Sequence, residues 1–194
     1  MTQSGIVLAS GSPYRKELLQ RLGLPFECWS PDVDETPQAA EPPRETAIRL
    51  ARAKADAGSR RFANVWVVGS DQVADLDGRP LGKPGTLDNA RRQLRAVSGH
   101  SVLFHTALCV SNGRLQRRHE RLVTTEVAFR RLTAAEIERY LAREPALDCA
   151  GSAKSEGLGV SLLSRMAGED PTALVGLPLM ALAAILRAEG FEVP

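Results

Sequence analysis

Long apolar runs are missing from this chain. No stretch reaches the roughly 18 consecutive apolar residues that a membrane-spanning helix needs. The most apolar segment, PLMALAAILRAEG near the end, is too short and finishes in charges. The amino terminus, MTQSGIVLAS, lacks a charged region ahead of a long apolar core and does not read as a secretory signal. Cysteine is scarce and scattered: Cys28, Cys109 and Cys149 form no CxxC and no Cys/His pattern. That excludes a zinc site of the usual spacing, and the odd count argues against a disulfide framework. All three read as small buried hydrophobes in a reducing compartment. His100, His105 and His119 likewise lack ligand spacing. Charge of one sign is not in excess either. A formal net charge of +2 argues against a broad basic face for nucleic acid, though it permits a local basic pocket. The arginine-rich stretch RLQRRHERL has no interleaved aromatic for stacking on bases, so it reads as a solvated edge hairpin. Repeats, low-complexity runs and linkers are absent. The expectation is a soluble cytoplasmic protein, with neither a membrane nor a nucleic-acid partner.

What remains is ordinary globular material. The chain has 194 residues, 43% hydrophobic and 25% charged, enough to bury the core of a single domain over 1–194. GIVLA (5–9) reads as a short buried strand. Ser12 can then cap a helix with Pro13 at its first position and Gly23 past its end. A second short strand over 26–29 runs into the acidic loop of Asp32, Asp34 and Glu35, followed by an Ala- and Arg-rich helix over 45–62. VWVVGSDQVADL is the strongest strand signal, read as interrupted at Gly69-Ser70-Asp71. Asp77-Gly78 marks a hairpin turn. Thr86 caps a helix through Val97, stopped by Gly99. Strand-like segments 101–110 and 115–128 flank Asn112-Gly113, the best hairpin signal in the chain. Thr133 and Glu136 form a capping box for a helix that Pro145 closes, and a last apolar helix spans 178–189. Strands and helices interleave, so the fold class is α/β.

Three places can carry chemistry. In SGSPYRK (10–16), Ser10, Gly11 and Ser12 lie between a strand and a helix amino terminus. Backbone N–H groups and the helix dipole make that a ready anion site, to which Arg15 and Lys16 add charge. Taken alone, the segment fits an ordinary capped helix with surface bases better, since such loops are common. In GSDQ (69–72), Asp71 on a buried apolar strand needs a partner. A divalent cation such as Mg²⁺ is one such partner, and a turn-capping role is the other. Glu35, Lys54 and Lys83 are accessory charges, unremarkable singly. Together they give two acids and several bases on loops and helix ends.

LASGSPYRKELL, PDVDETP, GSDQV, GKP and GSAKSEGLG occur in that order, across nearly the whole chain. In this the sequence resembles the Maf-like nucleotide pyrophosphatases, and most closely their YceF branch, which acts on 7-methyl-GTP. The resemblance implies a long, bent mixed sheet flanked by helices, with two lobes around a substrate cleft, and a homodimer. It implies hydrolysis of a nucleoside triphosphate to monophosphate and pyrophosphate with a divalent metal, Mg²⁺ or Mn²⁺, serving to remove non-standard nucleotides. Asp71 matches the residue that accepts the proton of the attacking water. Glu35, Ser10, Arg15, Lys54 and Lys83 match residues that hold metal and phosphates, Glu35 and Asp71 being the metal's.

Tyr14, Gln72 and Glu156 match the positions that separate the branches; the pyrimidine branch has Arg, Thr and Gln there. 7-Methylguanine is cationic, so an aromatic face attracts it and a carboxylate accepts from its N1–H and exocyclic amine. Members of the 7-methyl-GTP branch often carry tryptophan where this chain has Tyr14, whose face holds a cation less strongly. The other readings are a triphosphatase for pyrimidine or other modified nucleotides, and a non-catalytic nucleotide-binding regulator of cell division.

Overall fold

In the computed structural model, which describes residues 5–36 and 38–194, strands and helices alternate much as the sequence suggests. Met1–Ser4 and Pro37, the last residue of PDVDETP, lie outside the described residues. The strands are β1 (Ile6–Ala9), β2 (Glu27–Trp29), β3 (Trp66–Leu76), β4 (Arg79–Leu81), β5 (Ser101–Asn112), β6 (Arg117–Phe129) and β7 (Leu163–Ala167). The α-helices are α1 (Pro13–Gln20), α2 (Pro43–Arg61), α3 (Leu87–Val97), α4 (Ala134–Arg143) and α5 (Leu179–Ala188). Among the described residues, no helix is long and apolar enough to cross a membrane. The capping signals hold: Ser12 accepts from Arg15 N, Thr86 from Asn89 N, and Thr133 with Glu136 forms a full capping box.

Among the described residues the strands form one seven-stranded sheet in the order β2-β1-β3-β5-β6-β7, with β4 paired to β3. β2, β1 and β3 run parallel and the other pairings are antiparallel, so the sheet is mixed. Alternation along β3 decides what each face meets. Its even residues carry two apolar clusters on one face. Trp66 and Val68 join Leu108, Val110, α1 (Leu18, Leu19) and α5 (Leu182, Leu186). Ala74 and Leu76 join Phe104, α3 (Leu94, Val97) and α4 (Ile137, Tyr140). Between the clusters, the same face is polar: Ser70 opposes Leu108 and Gln72 opposes Thr106. On the other face α2 lies against the sheet through Ala47, Ala51 and Ala55, which pack with Val73, Ala107 and Cys109.

Two turn expectations are corrected. β3 is not interrupted at Gly69-Ser70-Asp71; it runs unbroken, with Asp71 opposite Ala107 in the middle of the strand. Gly69 is there for a different reason. A Cβ on it would stand 2.4 Å from Ala51 O and 2.6 Å from Ala55 N, so the glycine lets α2 sit directly on the strand. The β5–β6 connection is likewise not a two-residue Asn-Gly turn. Asn112 is the last residue of β5, paired with Arg117, and its side chain accepts from Leu115 N at 3.0 Å. The positive φ falls on Gln116 (53°). The Asp77-Gly78 turn between β3 and β4 is as expected, with φ of 52° and 79°.

The arginine-rich stretch is paired rather than merely solvated. Arg117 and His119 both reach the buried Glu189 at the end of α5, Arg118 reaches Asp56, and Glu120 holds Arg52 in a two-pronged ion pair. These contacts tie β6 to α2 and α5.

Candidate active site

The strand registers leave an opening. β1 pairs with β3 over Trp66–Val68, and β4 pairs with it over Ala74–Leu76. On that side of β3, residues 69–73 face neither neighbour. The opening lies past the carboxyl end of β1, where open α/β sheets take their ligands. A cleft of about 710 Å³ fills it. Ser10, Tyr14, Arg15, Glu35, Lys54, Asp71, Gln72, Lys83 and Glu156, the residues singled out from the sequence, all line it. Lys16 does not; it sits on the exposed side of α1.

Helix α2 brings the central cation. Its Ala47–Ala51–Ala55 stripe seats the helix on the sheet, and the adjoining Thr46–Leu50–Lys54 stripe, also spaced by four, faces the cleft. Lys54 Nζ is 2.7 Å from Asp71 Oδ1 and 2.6 Å from Glu35 Oε1. The lysine and Asp71 side chains are 8% and 11% exposed, whereas Glu35 is 58% exposed. The aspartate is therefore held within the protein and the glutamate from its rim. Burial raises the Glu35 pKa, but the Lys54 hydrogen bond and the charges of Lys54, Lys83 and Arg15 outweigh it and hold the carboxyl below its ordinary value. A second pair steadies the loop that carries Glu35: Arg49 binds Glu41 at 2.6 and 2.8 Å and reaches Thr36 O at 3.1 Å.

Arg15 comes from the first turn of α1. Its Nε donates to Gly176 O at 2.8 Å, Nη1 to Ser10 Oγ at 3.4 Å, and Nη2 stands 3.9 Å from Asp71 Oδ1. Burial lowers the guanidinium pKa, and Asp71 and Glu35 oppose that. Ser10 Oγ also accepts from Ser12 N at 3.1 Å, which curls the loop at the helix amino terminus.

The segment 173–176 was not singled out from the sequence, yet it holds the floor of the site. Ser70 Oγ donates to Gly176 O at 3.0 Å, and Gln72 Nε2 lies 2.9 Å from the carbonyls of both Ala173 and Leu174. Gln72 thus commits its amide N–H groups to the protein and leaves Oε1 for the cleft. Such contacts run through backbone carbonyls, which carry no residue-type signal. Asp148 was also missed. It accepts from Tyr14 Oη at 2.7 Å and stands 3.3 Å from Lys154 Nζ. Glu156 is exposed at the same end of the cleft, beside Ser155.

The site therefore has two ends. One carries Arg15, Lys54 and Lys83 against Asp71 and Glu35, a surplus of one positive charge that suits an anion. The other carries Tyr14, Asp148 and Glu156, suited to a flat polar ring, with Lys154 paired to Asp148. Among the described residues, no group of three His, Cys, Asp or Glu side chains is gathered as a metal site. Asp71 and Glu35 nevertheless converge on one ammonium, so they can share a cation. Two carboxylates are what a Mg²⁺ site commonly takes from protein, with phosphate oxygens and water supplying the rest.

Comparison with known proteins shows the family to which the chain belongs. The Maf-like protein family matches residues 5–189. A 7-methyl-GTP pyrophosphatase of Xanthomonas oryzae pv. oryzae (strain MAFF 311018) is 56% identical over 97% of this chain and 98% of its own length. A protein of the same name from Methylobacillus flagellatus is 52% identical, again over 97% of this chain and 98% of its own length. Among solved structures, a HAM1 protein from Coxiella burnetii has a TM-score of 0.55 at 20% identity, over 96% of this chain and 100% of that one. That last likeness is one of fold alone. With the family matched over nearly its full length and relatives above half identity, the chain belongs to the Maf-like family.

Proposed function

We propose that this protein hydrolyses a nucleoside triphosphate between its α- and β-phosphates, giving the monophosphate and pyrophosphate, and that the substrate is 7-methyl-GTP. The observation that carries the reading is the pair of carboxylates, Asp71 and Glu35, gathered on Lys54 at the cationic end of the cleft. The names of the curated relatives support the choice of base.

The polyphosphate lies against the Ser10–Ser12 loop and the start of α1, where N–H groups and the helix dipole favour negative charge. Arg15 and Lys83 add charge-assisted donors. Such anchoring aligns the α-phosphorus with the attacking water and stabilises charge as pyrophosphate leaves. Asp71 Oδ1 is committed to Lys54. Its other oxygen has no hydrogen-bond partner among the described residues and takes the proton from water. Glu35 and Asp71 would hold the Mg²⁺ or Mn²⁺ ion, which screens phosphate charge when bound. At the other end Tyr14 and Glu156 receive the purine. A homodimer in the cytoplasm belongs to the same reading, and light scattering tests the dimer.

Relative kcat/KM values for 7-methyl-GTP, GTP, UTP and dTTP test the assignment, with chelation of the metal as control. The expected result is a preference for 7-methyl-GTP and loss of turnover with chelator. A preference for UTP or dTTP reassigns the base, and no turnover of any triphosphate removes the enzyme.

A further inference from the structure

We propose that Asp148 sets base selectivity through Tyr14, and that Lys154 competes with a cationic base for the face of that ring. The inference deepens the 7-methyl-GTP reading and rests on it.

Tyrosine offers a cation a weaker face than tryptophan does. Here the ring is modified by its neighbour. Tyr14 Oη donates to Asp148 Oδ2 at 2.7 Å, a charge-assisted bond in which the phenol leans toward the carboxylate. Electron density gained at the phenol oxygen is shared with the ring and deepens its negative face. The same bond is the largest influence holding the Asp148 carboxyl below its ordinary pKa.

A positive charge already stands beside that ring. Lys154 Nζ sits over it, 5.3 Å from the centroid, while standing 3.3 Å from Asp148 Oδ1. Hydrogen bonding at Tyr14 is the largest influence raising the Lys154 pKa, and burial opposes it, so the ammonium stays charged. Whichever face of Tyr14 a 7-methylguanine takes, Lys154 is a second cation beside it. The ammonium must swing out, or the two charges share one ring at a cost. Lys154 is 23% exposed and has water within reach. Guanine without the methyl group carries no charge, so its binding gains little from Asp148 and loses little to Lys154. The two residues therefore act on selectivity with opposite signs.

The test is the ratio of kcat/KM for 7-methyl-GTP to that for GTP, which cancels any loss of folded material. Asp148→Asn keeps a hydrogen-bond acceptor and removes the charge; the ratio should fall about three- to tenfold. Lys154→Gln should raise it about two- to fivefold. In a Tyr14→Phe background, which has no hydroxyl to donate, Asp148→Asn should leave the ratio where Tyr14→Phe alone puts it. An unchanged ratio in Asp148→Asn, or a lowered one in Lys154→Gln, overturns the proposal. So does an equal fall in the Phe background, which would put Asp148 on the base itself. Affinities for 7-methyl-GMP and GMP by calorimetry give the same comparison without turnover. A protein that hydrolyses neither triphosphate thus fails the functional reading, while the binding ratio still decides this one.

Discussion

Lys54 sits at 2.6–2.7 Å from two carboxylates on elements far apart in sequence, and much of the site's chemistry follows from that contact. Asp71 is the group asked to take a proton. Asp71→Asn keeps the shape and an acceptor for Lys54 while removing the base. Its kcat should fall by about 10²–10⁴, with nucleotide binding largely kept, as read by steady-state kinetics and calorimetry. A variant that still turns over near the wild-type rate would move the proton to another group. Removing the cation has a different consequence. Lys54→Met leaves the buried Asp71 and the rim carboxylate Glu35 facing each other without their shared ammonium. It should destabilise the fold by about 1–3 kcal/mol at neutral pH, tempered by the exposure of Glu35. The Glu35 carboxyl is held below its ordinary pKa of 4.5. Its contribution is therefore present above that value and is lost as the pH falls through the depressed one. The gap between wild type and Lys54→Met in urea midpoints should narrow on acidification. At this scale the sequence was informative where charge sits in a motif, as for Asp71, Glu35, Arg15 and Lys83. It was silent where a backbone carbonyl does the holding, as at Gly176, and for Asp148, which stands in no quoted motif.

Elements place those side chains, and the seat of α2 is the critical one. The helix aims Lys54 only because Gly69 lets it rest on β3, with no room for a Cβ between the strand and the Ala51 carbonyl. Both sides of that contact are backbone, so relief requires the helix to move. Gly69→Ala should cost about 1–3 kcal/mol in denaturant midpoint and lower kcat/KM as well, since Lys54 moves with its helix. Activity retained in a folded, destabilised variant would separate the helix seat from the site. Helices were legible from Ser12, Thr86, Thr133 and Glu136 because a cap is a local interaction between neighbours in sequence. β3 was harder. Gly-Ser-Asp reads as a break when only local preference is weighed, and the continuous strand is fixed by α2 on one face and by β5 alongside. Asn112-Gly113 misled for a similar reason: the four residues from Gly113 to Gln116 form the turn, and Asn112 closes it with its side chain.

At the scale of the molecule, the cleft exists because β3 outlasts β1 on one side before β4 begins. The two apolar clusters stand on one face of the sheet to either side of Ser70 and Gln72, and the turn at 173–176 crosses between them. None of that layout could be read from local pattern, because strand order and register are set by non-local pairing. The resemblance in ordered motifs implied only the outline, a mixed sheet with a cleft, which the structure shows. Strand order, register and the crossing at 173–176 came from the structure. The central claim is the position of bond breakage: with the polyphosphate proposed to lie at the start of α1, water should attack the α-phosphorus and not the terminal one. Hydrolysis of 7-methyl-GTP by the purified protein with Mg²⁺, in water enriched in heavy oxygen, tests this directly. The account predicts pyrophosphate as the released product, with the heavy atom in 7-methyl-GMP. Release of inorganic phosphate with 7-methyl-GDP, or heavy oxygen recovered in the pyrophosphate, would contradict it.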